Sequence, residues 1–211
     1  PAYNEPEITK LLDSLAMCNE PGCRVEVIIV INAPAGASEQ VISNNMLTVS
    51  RIDSWKKNNN CFFRLFAIDV GQPCIPRWGV GMARKAGMDE AARRFNVIGR
   101  PEGVIVNLDA DCLVKKNYFE CICNELLIVR ERNACSIYFE HPVKGTEFRN
   151  INYAAVILYE LHLRYYYQGL ILSGFPFCSA FPIKAIWLAN AVVPAATRAA
   201  ANRILSLSSD M

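Results

Sequence analysis

The chain has 211 residues, 52% of them hydrophobic and 20% charged, with a net charge of +2. That length supplies one substantial core, and that composition excludes a disordered or collagen-like chain. The near balance of charge gives no basis for a nucleic-acid partner or for binding an anionic membrane.

Taken in chain order, the elements alternate. Pro6 to Met17 carries Ile8, Leu11, Leu12 and Leu15, a helical stripe opened by an early proline. Arg24 to Asn32 (RVEVIIVIN) is a β-branched apolar run and predicts a buried strand. Ser38 to Lys57 spaces Val41, Ile42, Val49 and Ile52 for a helix. Cys61 to Ile68 predicts a strand, and Gly79 to Phe95 (GVGMARKAGMDEAARRF) a helix with a small-residue face. Gly103 to Leu108 predicts a strand, Tyr118 to Val129 a helix, Ala134 to Phe139 a strand, and Ile151 to Leu172 a long aromatic-rich helix.

Helices alternating with apolar strands predict an α/β three-layer sandwich with a mostly parallel central sheet. In such sheets ligands bind beyond the carboxyl ends of the strands, which gathers Asn32–Gly36, Asp69–Gly81 and Asp109–Cys112 on one edge. PAYNEP reads as a loop that follows a strand, so the first strand is expected to be missing. A domain over 1–185 and a divergent tail over 186–211 are expected from the loss of pattern near Ala185. The Ala/Arg/Ser bias of that tail raises the expectation that it is read out of frame or comes from a rearranged gene.

No apolar run reaches the ~20 residues of a membrane span, and no signal peptide is recognised. The nine cysteines are odd in number, scattered and without C-x-x-C pairs, and there are two histidines. This argues against a zinc site or a disulfide framework and for reduced thiols in the cytoplasm. Cysteines in apolar stretches, such as Cys135, read as small core residues.

The stretch NLDADC, 107–112, carries the strongest chemistry. Residues i and i+2 of an extended chain point to one side, roughly 6.6 Å apart at ~3.3 Å per residue. Asp109 and Asp111 therefore face a common ligand. Strict β geometry disfavours both on one ion, so a division of labour is expected: one on the metal, the other on a hydroxyl or a metal-bound water. Mg²⁺ binds oxygen at about 2.0–2.1 Å and leaves positions for phosphate oxygens. A helix cap plus a solvated Asp is the bland alternative. A dehalogenase-type phosphatase also carries Asp-x-Asp at a strand tip, but after its first strand.

Other pieces share this edge. GVGMARKAG opens a helix with glycines and sets Arg84 and Lys85 in its first two turns, where unsatisfied N–H groups and two cations suit a pyrophosphate. Its alternative is a tightly packed helix with solvated cations. PAYNEP offers an aromatic face in Tyr3, an amide in Asn4 and a carboxylate in Glu5, or simply a turn before a helix. YFEHP, 138–142, brings Glu140 and His141 towards the edge, with a hydrogen-bonded structural histidine the commoner outcome. Glu160, His162 and Arg164 do not all share one helix face, and Tyr165–Tyr167 reads as packing.

PAYNEP, VEVIIVIN, GVGMARKAG and NLDAD, in that order, resemble the family 2 glycosyltransferases of the GT-A fold. ACSIYFEHPVKGTEF and YELHLRYYYQGLILSGFPF are similar to a bacterial subgroup of it. The likeness covers about residues 1–185. It implies a metal-dependent transferase that moves a sugar from a nucleoside-diphosphate-sugar donor to an unknown sugar, lipid-linked or small-molecule acceptor, with Mg²⁺ or Mn²⁺. By the resemblance Tyr3, Asn4 and Glu5 line the nucleoside pocket, and Asn32 stands near the place of a base-binding Asp. Gly81, Arg84, Lys85 and Ala110 lie beside the nucleotide. Asp109 faces the ribose or the metal, and Asp111 binds the metal that bridges the diphosphate. The Gly-Gly turn and Glu-Asp pair that supply the catalytic base in relatives have no counterpart here, so no catalytic residue is assigned. A non-catalytic nucleotide-sugar-binding remnant is the second reading. A nucleotidyltransferase is the third, disfavoured because PAYNEP is not a Gly-rich loop.

Overall fold

The computed structural model describes residues 1–72, 79–100, 102–128, 134–137, 139–146, 148–174, 185–188 and 204–206. The elements are α1 (Ile8–Ala16), β1 (Glu26–Ile31), α2 (Glu39–Asn58), β2 (Arg64–Asp69), α3 (Val80–Val97), β3 (Val104–Val106), α4 (Tyr118–Ile122), β4 (Ala134–Ser136), α5 (Asn150–Leu172), β5 (Ala185–Leu188) and β6 (Ile204–Ser206). The protein is α/β, as predicted.

The core assembles from the patterns that define the elements. The apolar stripe of α1 buries Ile8, Leu11, Leu12 and Leu15 against Ile29 and Ile31 of β1 and Leu65 of β2. Ile52 and Trp55 of α2 close the other side. Ser38 caps α2, its hydroxyl accepting from the Val41 N–H at 3.4 Å, which satisfies one of the free donors of the first turn. Trp55 stacks on Phe63 at 6.0 Å, and its indole N–H donates to Asp13 Oδ1 at 2.7 Å. A buried indole thereby keeps both its apolar contact and a polar partner.

β1 and β2 pair in parallel from Glu26–Arg64 to Ile31–Asp69. On its other edge β1 bonds Ala2: Ala2 donates its N–H to the Val30 carbonyl at 2.8 Å, and Asn32 donates to the Ala2 carbonyl at 3.1 Å. Helix α3 packs on β1 and also on β3. Arg94 fixes it there, forking onto Glu26 at 2.6 and 3.0 Å with its guanidinium 3.9 Å from the Phe66 ring centroid. Such a planar fork matches a carboxylate and an aromatic face together.

The structure differs from the sequence reading in five places. There is no single mostly parallel sheet among the described residues. Beside the β1–β2 pair stands a mixed sheet ordered β3-β5-β4-β6, in which β5 runs antiparallel to both β3 and β4. Residues 186–188, where the divergent tail was expected to begin, lie in strand β5 of that sheet. The second strand begins at Arg64 rather than Cys61, because Phe62 turns aside to pack edge-on against Phe119. The helix from Tyr118 becomes a π-helical turn over Cys123–Ile128, with Ile122 and Leu126 buried. An extra residue per turn resets which side chains face the core. Tyr165 is 82% exposed, so it is not the packing residue its cluster predicted.

Candidate functional site

β3 is short, and the chain leaves it through Asn107 and Leu108 into the acidic stretch. Leu108 and Ala110 pack against the core, and Asp109 and Asp111 lie in the turn that follows β3, where the Cys112 N–H donates to the Asp109 carbonyl at 3.3 Å. A carboxylate oxygen of each, together with the Cys112 sulfur, lies within 4.8 Å of the others. Asp109 is half-buried, Asp111 exposed. Arg84, in the second turn of α3, donates to Asp109 Oδ1 at 2.6 Å. Pro1 lies within electrostatic reach of both Asp109 and Arg84. Pro1, Arg84 of α3 and the acidic stretch thus lie close together.

The donor set suits a hard cation. Two carboxylate oxygens on one Mg²⁺ stand at most about 4.2 Å apart, twice the 2.1 Å bond, so a small rotamer change is enough to join them. Cys112 is a soft donor and adds nothing for Mg²⁺.

The loop that bears Tyr3 is held by side chains the sequence reading did not single out. Asn4 adopts φ 52°, a left-handed conformation that asparagine tolerates better than most residues. Its N–H donates to Asn45 Oδ1 at 2.9 Å, and Asn44 Nδ2 donates to its side-chain oxygen at 2.7 Å. Asn45 also donates to the Asn32 carbonyl at 3.0 Å, and the Thr48 hydroxyl donates to the Glu5 carbonyl at 3.0 Å. The signal was present: Asn45, Thr48, Ile52 and Trp55 fall at helical spacing, and all four are buried. Two polar residues in a core-facing stripe require polar partners.

Asn32, 4% exposed, keeps an oxygen, Oδ1, with no hydrogen-bond partner among the described residues. An unmet buried acceptor is rare enough to need a cause, and a ligand N–H is one. Tyr3 is half exposed, free to offer its ring. Gly81 opens onto free space in the first turn of α3. Lys85 does not join the group: it pairs with Asp89 on the exposed side of α3, because one residue turns the helix by about 100°. Residues 73–78 of the expected edge and Tyr138 lie outside the described residues.

A second polar cluster stands on α5. His141 Nδ1 is 2.6 Å from Glu160 Oε1, which also accepts the His141 backbone N–H at 3.0 Å, while Arg164 reaches Glu160 Oε2 at 3.0 Å. Burial raises the Glu160 carboxyl, but the two His141 bonds and the Arg164 charge outweigh it and hold the group below its ordinary value. Glu160 and Arg164 share a face at i,i+4, and His162 is exposed elsewhere on the helix. His141 is the hydrogen-bonded histidine its setting favoured.

No described helix is long and apolar enough to cross a membrane. Comparison with protein-family models, with curated proteins and with solved structures finds no match to this chain.

Proposed function

We propose that this chain binds a nucleoside-diphosphate sugar together with a divalent cation and belongs to a metal-dependent, GT-A-type glycosyltransferase of family 2. The observation that carries the reading is the convergence of Arg84, Asp109 and Asp111 at the tip of β3 beside the Pro1–Glu5 loop. A diphosphate needs cationic partners and a metal, and a base needs a stacking face and an acceptor. Arg84 meets the phosphates, Asp111 with Asp109 holds Mg²⁺ or Mn²⁺, Tyr3 stacks on the base, and the orphaned Asn32 oxygen takes a base N–H. The bound cation supplies charge neutralisation for the departing nucleoside diphosphate. The work is cytoplasmic, and the acceptor is a sugar, a lipid-linked group or a small molecule.

A second reading is donor binding without turnover. It is favoured by the 186–211 stretch, whose single acidic residue is Asp210, so that this stretch offers no paired carboxylate to take the acceptor proton. One experiment tests both. Nucleoside diphosphates of each base are added to the protein with and without Mn²⁺ or Mg²⁺, and melting is followed beside a donor-hydrolysis assay. At a hundredfold excess over Kd, binding adds about 2.7 kcal/mol, a rise of roughly 5–10 °C for a chain of this size. A rise without hydrolysis selects the second reading. No rise with any base, metal present, removes both.

A further inference from the structure

Cys23 and Cys123 are 100 residues apart in sequence, yet their sulfurs are 3.2 Å apart. Cys23 is exposed in the loop between α1 and β1, and Cys123, partly buried, is the first residue of the π-helical turn. The backbones on either side are already held together. Asn19 donates its N–H to the Lys116 carbonyl at 2.8 Å and its side-chain amide to Glu120 at 2.8 Å. Cys18 bonds the Lys115 carbonyl at 3.4 Å, and Val114 donates to the Ser14 hydroxyl at 3.4 Å. The other described cysteines have different neighbours: Cys61 meets the Phe63 carbonyl, Cys112 meets Asp111, and Cys121 meets Asn117.

We propose that Cys23 and Cys123 form a reversible disulfide that ties the α1–β1 loop to the segment following the acidic stretch. The sulfurs need to close by about 1.2 Å to reach the 2.03–2.05 Å of a bond, a movement within reach of two side-chain rotations. The oxidant is a small-molecule disulfide. The exposed Cys23 sulfur, as thiolate, attacks one sulfur of it, forming a mixed disulfide and releasing one thiolate. The Cys123 sulfur then attacks Cys23, the mixed bond breaks and the second thiolate leaves. The two protons lost by the cysteines end on the two released thiols, so one disulfide is consumed for the one formed. Burial, and after it the bond with Cys23, pushes the Cys123 thiol up to about 12. Cys123 is therefore the slow partner, and it reacts because Cys23 holds the target beside it. The bond encloses Asp109, Asp111 and Arg84 in one covalent loop. It does not depend on the nucleotide reading.

The test incubates the reduced full chain with oxidised glutathione, blocks remaining thiols with iodoacetamide, and analyses intact mass and a non-reduced tryptic digest. Expected are a loss of two hydrogens and a link between peptides 11–24 and 117–130, reversed by dithiothreitol. Fragment ions separate Cys18 from Cys23 and Cys121 from Cys123. Cys23→Ser abolishes the link, Cys121→Ser leaves it intact, and the oxidised chain melts several degrees above the reduced one. A glutathione adduct on Cys23 without the link, a link mapped to Cys18 or Cys121, or an unchanged melting midpoint in the linked chain would each overturn the proposal.

Discussion

Arg84 and Asp109 meet at 2.6 Å across 25 positions of sequence, joining the start of α3 to the tip of β3. The pair sets a competition: while Arg84 holds Asp109, the carboxylate is partly neutralised, and a diphosphate that draws Arg84 away leaves Asp109 to the cation. Arg84→Met is therefore expected to weaken nucleoside-diphosphate binding by about ten- to a hundredfold, the worth of a charge-assisted hydrogen bond, while binding of Mn²⁺ alone becomes tighter. Asp111→Asn is expected to lose the metal-dependent part of nucleotide binding. Calorimetry with metal and nucleotide, separately and together, distinguishes these, and equal losses in both variants would contradict the competition.

Asn45→Ala removes two hydrogen bonds at once and leaves the Asn4 N–H and the Asn32 carbonyl without that partner. The expected loss is about 2–4 kcal/mol, since unmet buried groups cost about 1–3 kcal/mol each. Asn4→Gly is expected to cost less, because glycine adopts the same left-handed backbone freely and only the exposed bond from Asn44 is lost. Urea unfolding of the two variants checks the order, and a larger loss in Asn4→Gly would refute the clamp.

A Cβ at Gly103 would sit 2.1–2.4 Å from the Phe95 ring. Gly103→Ala is expected to destabilise by about 1–3 kcal/mol through overpacking. Phe95→Leu, which withdraws the ring, should recover much of that loss in the double variant. Additive losses in the double-mutant cycle would show that the two do not touch in solution.

The Glu160 carboxyl is held below its ordinary value of 4.5 by His141 and Arg164 against the effect of burial. A folded value below the unfolded one means that the unfolded chain takes up the proton first as acid is added. The stability it contributes is complete above about pH 4.5 and is lost as the pH falls through the folded value. Unfolding measured between pH 6 and 3 should fall more steeply for the wild type than for Glu160→Gln. Parallel curves would mean that Glu160 is not engaged in solution.

Much of the scaffold was legible because it follows local rules. The α1 stripe and the β-branched run of β1 each declare themselves within a few residues. Strand alternation predicted that Asp109 and Asp111 share one side, but β3 ends at Val106, and it is a turn, closed by the Cys112 N–H on the Asp109 carbonyl at 3.3 Å, that brings them together. What escaped depends on distant partners. Nothing local tells Phe62 to leave its strand for Phe119, or β5 to run against β3. Lys85 looked equivalent to Arg84, yet a single helical step gives it Asp89 instead. The Asn44, Asn45 and Thr48 clamp was visible only as polar residues in an apolar stripe, and its meaning required seeing Asn4 and Glu5 opposite. The thiol pair spans too long an interval for any spacing rule.

Helix α2 grips both the Asn4–Glu5 backbone and the Asn32 carbonyl through two adjacent turns. These pieces ride on one rail. On the nucleotide reading proposed above, the groups for the base share one support, whereas Arg84 and Asp109 are joined across two separate elements. A molecule arriving by its ring would find its berth already shaped, and the charged end would settle last.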